Sequence, residues 1–181
     1  IPPGLDDKVL VSWNGLMIDA MAAAAGALGE PRYLAAAQKA ADFILTKLRK
    51  PDGRLLHAYR HGQAKFDGYL GDCACLANAL VSLYEADFDA RWINEAGALC
   101  DVMLERFSDK TSGGFFYTAD DHEELIARNK DVYDNATPSG TGMALTVLVR
   151  LGKLTGIEKY ATAAERGLQS LGDLFERAPT A

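Results

Sequence analysis

Leu16-Met-Ile-Asp-Ala-Met-Ala-Ala-Ala-Ala25 decides how the rest of the chain is read. Asp19 is its one polar residue, so a helix built from this stretch must be covered on most of its sides. After a turn comes Tyr33-Leu-Ala-Ala-Ala37, which opens a stretch of different character. Leu34, Ala37, Ala41, Ile44 and Leu48 recur there at three- and four-residue steps, while Gln38, Lys39, Asp42 and Lys47 fall on the other side. The first stretch reads as an inner helix over about residues 12–28 and the second as a solvent-facing outer helix over about 32–49.

The pair returns twice. Residues 70–86, rich in Ala, Leu and Val, precede Trp92-Ile-Asn-Glu-Ala96, whose seam is Ile93, Ala96, Cys100, Met103 and Phe107. Residues 139–156 precede Tyr160-Ala-Thr-Ala-Ala164, whose seam is Tyr160, Ala164, Leu168, Leu171 and Phe175. With the opening aromatics at 33, 92 and 160, the repeating unit is a long helical hairpin plus its connection, not a compact short repeat. Six helices are expected. Ser12 is placed to cap the first, Thr137 followed by Pro138 fits the start of the fifth, and Gly29 and Gly156 fit helix ends.

A closed ring of such hairpins, with inner helices lining a cup and outer helices wrapping it, is an (α/α)6 toroid, the all-α fold of six-hairpin glycosidases and sugar epimerases. Three hairpins make half of one. Half a ring leaves its apolar inner helices partly uncovered, so either the chain continues beyond these residues or two copies associate through that surface. Arg54-Leu-Leu-His-Ala-Tyr-Arg60 and Gly113-Gly-Phe-Phe-Tyr-Thr118 break the helical period and read as short extended pieces. Each lies in a connection from an outer helix to the next inner one. Both should therefore emerge on the rim where inner helices begin, beside residues 6–14, and chemistry tends to collect on such loops.

Composition narrows the partners. A chain of 181 residues, 49% hydrophobic and 24% charged, is ordinary for one globular domain. A net charge of −6 without a Lys/Arg cluster offers no basic face for nucleic acid or an anionic membrane. No apolar run approaches the roughly 20 residues that span a bilayer. The start, Ile1-Pro2-Pro3-Gly4-Leu5, has neither a secretion signal's plan nor a Met, which suggests an excised piece. Cys73, Cys75 and Cys100 fall in helical stretches without disulfide or zinc spacing and read as buried reduced thiols of a cytoplasmic protein. No cofactor or metal motif is present. His57 and His61 stand four apart outside any helix, which is a poor metal pair, and Gly140-x-Gly142 lacks the strand and lysine of a phosphate loop.

Five blocks carry a family resemblance: Asp6-Asp-Lys-Val-Leu-Val-Ser-Trp-Asn-Gly-Leu-Met17, Asp52-Gly-Arg-Leu-Leu-His-Ala-Tyr-Arg60, Leu83-Tyr-Glu-Ala-Asp-Phe-Asp89, Gly113-Gly-Phe-Phe116 and Pro138-Ser-Gly140. In order and spacing they resemble the thioredoxin-like proteins related to spermatogenesis-associated protein 20. The resemblance covers nearly the whole chain. It implies the C-terminal helical portion of a larger protein, with a six-hairpin glycosidase or N-acylglucosamine 2-epimerase-like toroid partnered by a thioredoxin-like domain. Two departures stand out. Where the family typically reads Phe-Leu-Asp-Asp-Tyr-Ala, this chain has Tyr69-Leu-Gly-Asp-Cys-Ala74, and Pro138-Ser-Gly-Thr-Gly142 replaces a Pro-Ser-Gly-Asn-Ser.

The rim segments supply the flat apolar faces and convergent polar groups that a sugar needs. Trp13 and Asn14 come from the first, Arg54, Tyr59, Arg60 and Tyr69 from the second, and Phe116, Arg128 and Ser139 from the third, with Asp6, Asp7, Lys8, Phe115, Tyr117, Lys130, Asp131 and Asn135 in the wider inventory. His57 is the acid/base candidate, because an imidazole titrates near neutrality and can move a proton at the carbon beside a sugar carbonyl. The alternative is a rim histidine that only makes hydrogen bonds. Asp72 and Asp134 could form the carboxylate pair of a glycosidase, or instead a helix cap and an Asx turn respectively. His122 reads as part of a solvated acidic turn. The function expected is carbohydrate binding, with epimerase- or isomerase-type proton transfer or glycoside hydrolysis. A non-catalytic interaction module is the rival, and an apolar cup floor would favour it.

Overall fold

A computed structural model describes residues 3–122 and 127–177. The chain enters through a two-residue strand β1 (Val9–Leu10) into inner helix α1 (Val11–Leu28), and α2 (Pro31–Lys47) returns along its outside. A hairpin of β2 (Leu56–Arg60) and β3 (Gln63–Asp67) leads into inner helix α3 (Leu70–Asp87). Its outer partner is α4 (Ala90–Val102), prolonged by one π-turn (Met103–Phe107). The third pair is α5 (Gly140–Thr155) and α6 (Glu158–Gln169). The inner helices stand side by side in the order α1, α3, α5, each backed by its own outer helix, which is the arc of half an (α/α)6 toroid.

Packing explains the inner and outer patterns. The central helix α3 is buried from Asp72 to Leu83, whereas α1, at one end of the arc, leaves Trp13, Met17 and Leu28 exposed. The outer helices are pinned by the aromatics that open their repeats. Trp92 is fully buried and donates its indole N–H to Asp87 at 3.0 Å, while buried Tyr160 donates its hydroxyl to Asp101 at 3.0 Å. Asp19 accepts from the Asn78 amide at 3.1 Å and from the Ser82 hydroxyl. Arg150 completes this link from α5, donating to Asn78, to Ser82 at 3.0 Å and to Glu85 at 2.8 Å. The one polar residue of the Leu16–Ala25 stretch thus ties all three inner helices together.

Helix ends follow partly different chemistry from that expected. Gly29 and Gly156 do close α1 and α5 in the left-handed conformation. Ser12 does not cap α1. Leu10 occupies the cap position, and the Ser12 amide is instead satisfied by Asp72 of the next hairpin at 3.0 Å. Thr137 and Pro138 lie before α5, whose cap is Ser139, its Oγ accepting from the Gly142 amide at 3.1 Å. The third outer arm is not continuous: it stops after Gln169 and resumes as a short α7 (Gly172–Arg177). The Phe175 side chain expected in its seam lies outside the described residues.

The extended pieces also divide. Arg54 to Arg60 does contain a strand, and β2 sits between β1 and β3 in an antiparallel sheet that pairs Val9 with Tyr59 and Ala58 with Lys65. His61 and Gly62, at φ 49° and 79°, make the two-residue hairpin turn whose twist suits the flanking strands. Gly113 to Thr118 forms only one isolated bridge, Ser108 with Phe115, and its glycines adopt positive φ that breaks any pleat.

One close approach fixes the α1–α3 spacing. A Cβ on Gly15 would stand 2.7 Å from the Cys75 backbone carbon, whereas one on Gly26, in the same helix, would meet nothing. Gly15→Ala should therefore lower the urea unfolding free energy by about 1–3 kcal/mol through forced helix separation. Gly26→Ala should raise it by about 0.5–1 kcal/mol through helix propensity.

Candidate active site

The N-terminal ends of the three inner helices meet around a cavity of about 320 Å³. Trp13 and Leu16 of α1, Gly71, Asp72 and Cys75 of α3, and Gly140 of α5 line it, together with His57 of β2, Tyr69, Tyr117 and Asp131. Its position follows from the sheet. Because β1 pairs with β2 in the register Leu10 to Ala58, the next position brings His57 alongside the start of α1.

Asp72 organises this corner. Its side chain is only 1% exposed, and its two oxygens accept three hydrogen bonds. Oδ1 takes the Ser12 amide at 3.0 Å; Oδ2 takes the Tyr69 amide at 3.0 Å and His57 Nδ1 at 2.8 Å. The Tyr69 contact is one half of a capping box on α3, so the carboxylate serves the starts of two neighbouring helices at once. A carboxylate only accepts, so the imidazole proton sits on Nδ1 and the basic lone pair on Nε2, which has no hydrogen-bond partner among the described residues. The hydrogen bond to Asp72 raises the His57 pKa above its ordinary value, against a smaller opposing effect of burial.

An aromatic wall stands beside the imidazole. His57 meets Tyr69 edge-on at 5.1 Å, and Tyr69 stacks on Tyr117 at 4.6 Å with an interplanar angle of 13°. Trp13, 61% exposed, lines the same cavity. His122 lies in a turn with exposed Asp120 and Asp121, but its half-buried ring is turned inward to 5.9 Å from Tyr69 with Nδ1 buried, while residues 123–126 beside it lie outside the described ones. Asp131 closes the far side, its Oδ2 accepting the Gly140 amide at 2.7 Å.

Other residues singled out from the sequence lie elsewhere. Asp134 accepts the Ser139 amide at 2.9 Å, and both line a separate apolar groove with Leu145, Val149 and Leu168. Arg54 pairs with Asp52 and Asp121, and Arg60 with Asp7. Tyr59 packs edge-on against Phe43, and Asn14 donates to the Leu10 carbonyl at 2.8 Å. Arg128 donates to the Thr118 and Arg106 carbonyls and lies over the Phe116 ring. These arginines knit the loops. Of the chosen set, Trp13, His57, Tyr69 and Asp72 are brought together, while Tyr117, Asp131 and Gly71 complete the cavity without having been chosen. Nothing in the spacing separates Asp131 from Asp134; only the path of the loop into α5 does.

The thiols are inert. Burial pushes Cys75 and Cys100 up to about 12 and raises Cys73 as well, so none is a nucleophile near neutral pH. Among the described residues no three His, Cys, Asp or Glu side chains converge as metal ligands, and no helix is long and apolar enough to cross a membrane.

Asp72→Asn cannot accept all three bonds, and it should cost about 2–4 kcal/mol of unfolding free energy, roughly the worth of two caps. The raised His57 pKa gives a pH signature. The pair's contribution to stability is complete below the unfolded imidazole value of about 6.5 and is lost as pH rises through the higher folded value. Melting curves should show the gap between wild type and His57→Gln narrowing as pH increases across that range.

No protein-family model matches the chain. It is 30% identical to human spermatogenesis-associated protein 20 over 189 residues, covering 99% of this chain and 24% of that protein. It is 31% identical to the Rattus norvegicus protein over 187 residues, again 24% of that protein's length. The chain thus spans about a quarter of the curated relatives it matches. In fold it resembles cellobiose 2-epimerase from Spirochaeta thermophila, with TM-score 0.74 and 18% identity over 91% of this chain and 43% of that one. A D-mannose isomerase gives 0.78 and 16% over 94% and 46%, and a family 76 α-mannanase from Bacteroides thetaiotaomicron 0.72 and 19% over 92% and 45%. Along nearly all of its length, then, the chain matches one region of spermatogenesis-associated protein 20, and the chain is folded as half of an (α/α)6 toroid.

Proposed function

We propose that this chain binds a carbohydrate at the His57 cavity and that His57 moves a proton at the carbon beside the sugar's carbonyl. The observation that carries the reading is the His57–Asp72 pair, with Nδ1 fixed on a buried carboxylate in a cavity between Trp13 and Tyr117. Trp13 and the Tyr69–Tyr117 stack offer faces to a sugar ring, and Asp131 offers an acceptor to its hydroxyls. Neutral His57 takes the proton through Nε2, and Asp72 stabilises the imidazolium that results. The step acts on the open-chain sugar, which alone carries a carbonyl. The C–H electron pair forms the C=C bond and the carbonyl oxygen takes the charge. The same imidazole returns the proton to that carbon of the enediolate, or to the neighbouring carbon once the hydroxyl proton has passed between the two oxygens. The named activities of the epimerase and isomerase that share the fold support this class.

Glycoside hydrolysis is the weaker reading, because Asp134 faces the groove beside α5 and both oxygens of Asp72 are engaged in capping. The interaction module is weaker too, since the cavity floor carries an imidazole and two carboxylates instead of a bare apolar surface. Buried protonated thiols fit a reducing, cytoplasmic setting. The exposed stripe of Trp13, Met17 and Leu28 on α1 fits an edge at which the ring continues, through further hairpins, a second copy or a thioredoxin-like neighbour.

The test combines reducing sugars, among them glucose, mannose and cellobiose, with the wild type and His57→Gln. Sugars should raise the wild-type melting temperature, and in D2O the wild type should wash deuterium into the carbon beside the carbonyl, an exchange lost in His57→Gln. Exchange should fall as pH drops through a value above 6.5, because the base must be neutral. A panel without thermal shift or exchange overturns the reading.

A further inference from the structure

Two glycines face each other where α3 and α5 start, and only one of them is explained by packing. A Cβ on Gly140 would come within 3.2 Å of the Gly71 nitrogen and 3.3 Å of Asp131 Oδ2, so the close approach of the two helices requires glycine there. Gly71 is different. Its φ is not positive, and a Cβ would meet nothing nearer than the Gly140 Cα at 3.9 Å, an ordinary contact. Glycine inside a helix is nonetheless the least favourable residue after proline. Neither backbone conformation nor neighbouring atoms account for its presence in the first turn of α3.

What Gly71 does adjoin is the cavity, which it lines together with Asp72 and Asp131. We infer that Gly71 is a specificity-determining position: the missing side chain leaves the space over the His57–Asp72 pair that a ring substituent or second sugar unit occupies. The inference rests on the carbohydrate reading of this cavity and adds which part of the wall sets the size of sugar admitted. A methyl group here narrows the cavity between its two carboxylates. A leucine fills it. Because the fold tolerates a Cβ at this point, such changes act on the ligand and not on folding.

The experiment exploits the two tryptophans. Trp92 is fully buried and Trp13 mostly exposed, so acrylamide-quenchable fluorescence reports Trp13 at the cavity. Titrations of wild type, Gly71→Ala and Gly71→Leu with mannose and cellobiose would follow that signal together with the melting temperature. Gly71→Ala should melt no lower than wild type, yet bind cellobiose roughly tenfold or more weakly with a smaller loss for mannose. Gly71→Leu should lose the response to both. Equal affinities in all three proteins would overturn the role of Gly71 while leaving the carbohydrate reading in place. A lower melting temperature in Gly71→Ala, with unchanged sugar selectivity, would assign the glycine to packing. No wild-type response to either sugar would remove the reading and this inference together.

Discussion

One buried carboxylate holds the functional corner of this molecule together. Asp72 accepts from the first turn of α1, from the cap residue of its own helix α3 and from the imidazole of β2. The first of these lies 60 residues from Asp72, and the pairing of β1 with β2 brings it to the same corner as the imidazole. The helix starts present unpaired amides and the positive end of the backbone dipole, which makes a buried negative charge tolerable. The charge in turn fixes which imidazole nitrogen carries the proton. The capping of two helices and the orientation of the imidazole therefore reside in the same atoms.

The division of labour among polar groups follows from the same economy of partners. Most charged residues near the rim are engaged with their neighbours: Arg128 with carbonyls, Arg54 and Arg60 with aspartates, Lys130 with Asp109, whose carboxyl is drawn down to about 2 by that contact. His57 keeps a ring nitrogen without a partner among the described residues while its other nitrogen is fixed. Beside it the tyrosine stack and Trp13 supply apolar faces, and Asp131 and Gly71 shape the far wall. The proposed proton transfer rests on this one oriented imidazole between flat apolar walls, where a two-carboxylate reaction would need a second free carboxyl group beside Asp72.

The half-ring gives this cavity its setting. The inner helices are arranged so that their starts converge and their sides pack, with Asp19, Asn78, Ser82 and Arg150 linking them one helical stretch below the cavity. At the open end of the arc, α1 exposes large apolar side chains of the kind that α3 buries. The solved toroids that share the fold are about twice as long as this chain, so the same arc in them continues around the ring.

The alternation of all-apolar and amphipathic stretches was enough to give three hairpins, because a helix covered on most sides carries few polar residues and an outer helix carries a whole face of them. Helix ends at Gly29 and Gly156, the burial of the thiols and the placing of His57 and Asp72 on a common rim were legible for similar local reasons. The partners were not. That Asp72 caps a helix 60 residues away, that Asp131 and not Asp134 faces the cavity, and that Arg128 turns to carbonyls depend on loop paths set by contacts between hairpins. Periodicity records how each segment divides between solvent and core. Which polar atoms meet across that core is a property of three-dimensional distance, and only the tertiary structure decides it.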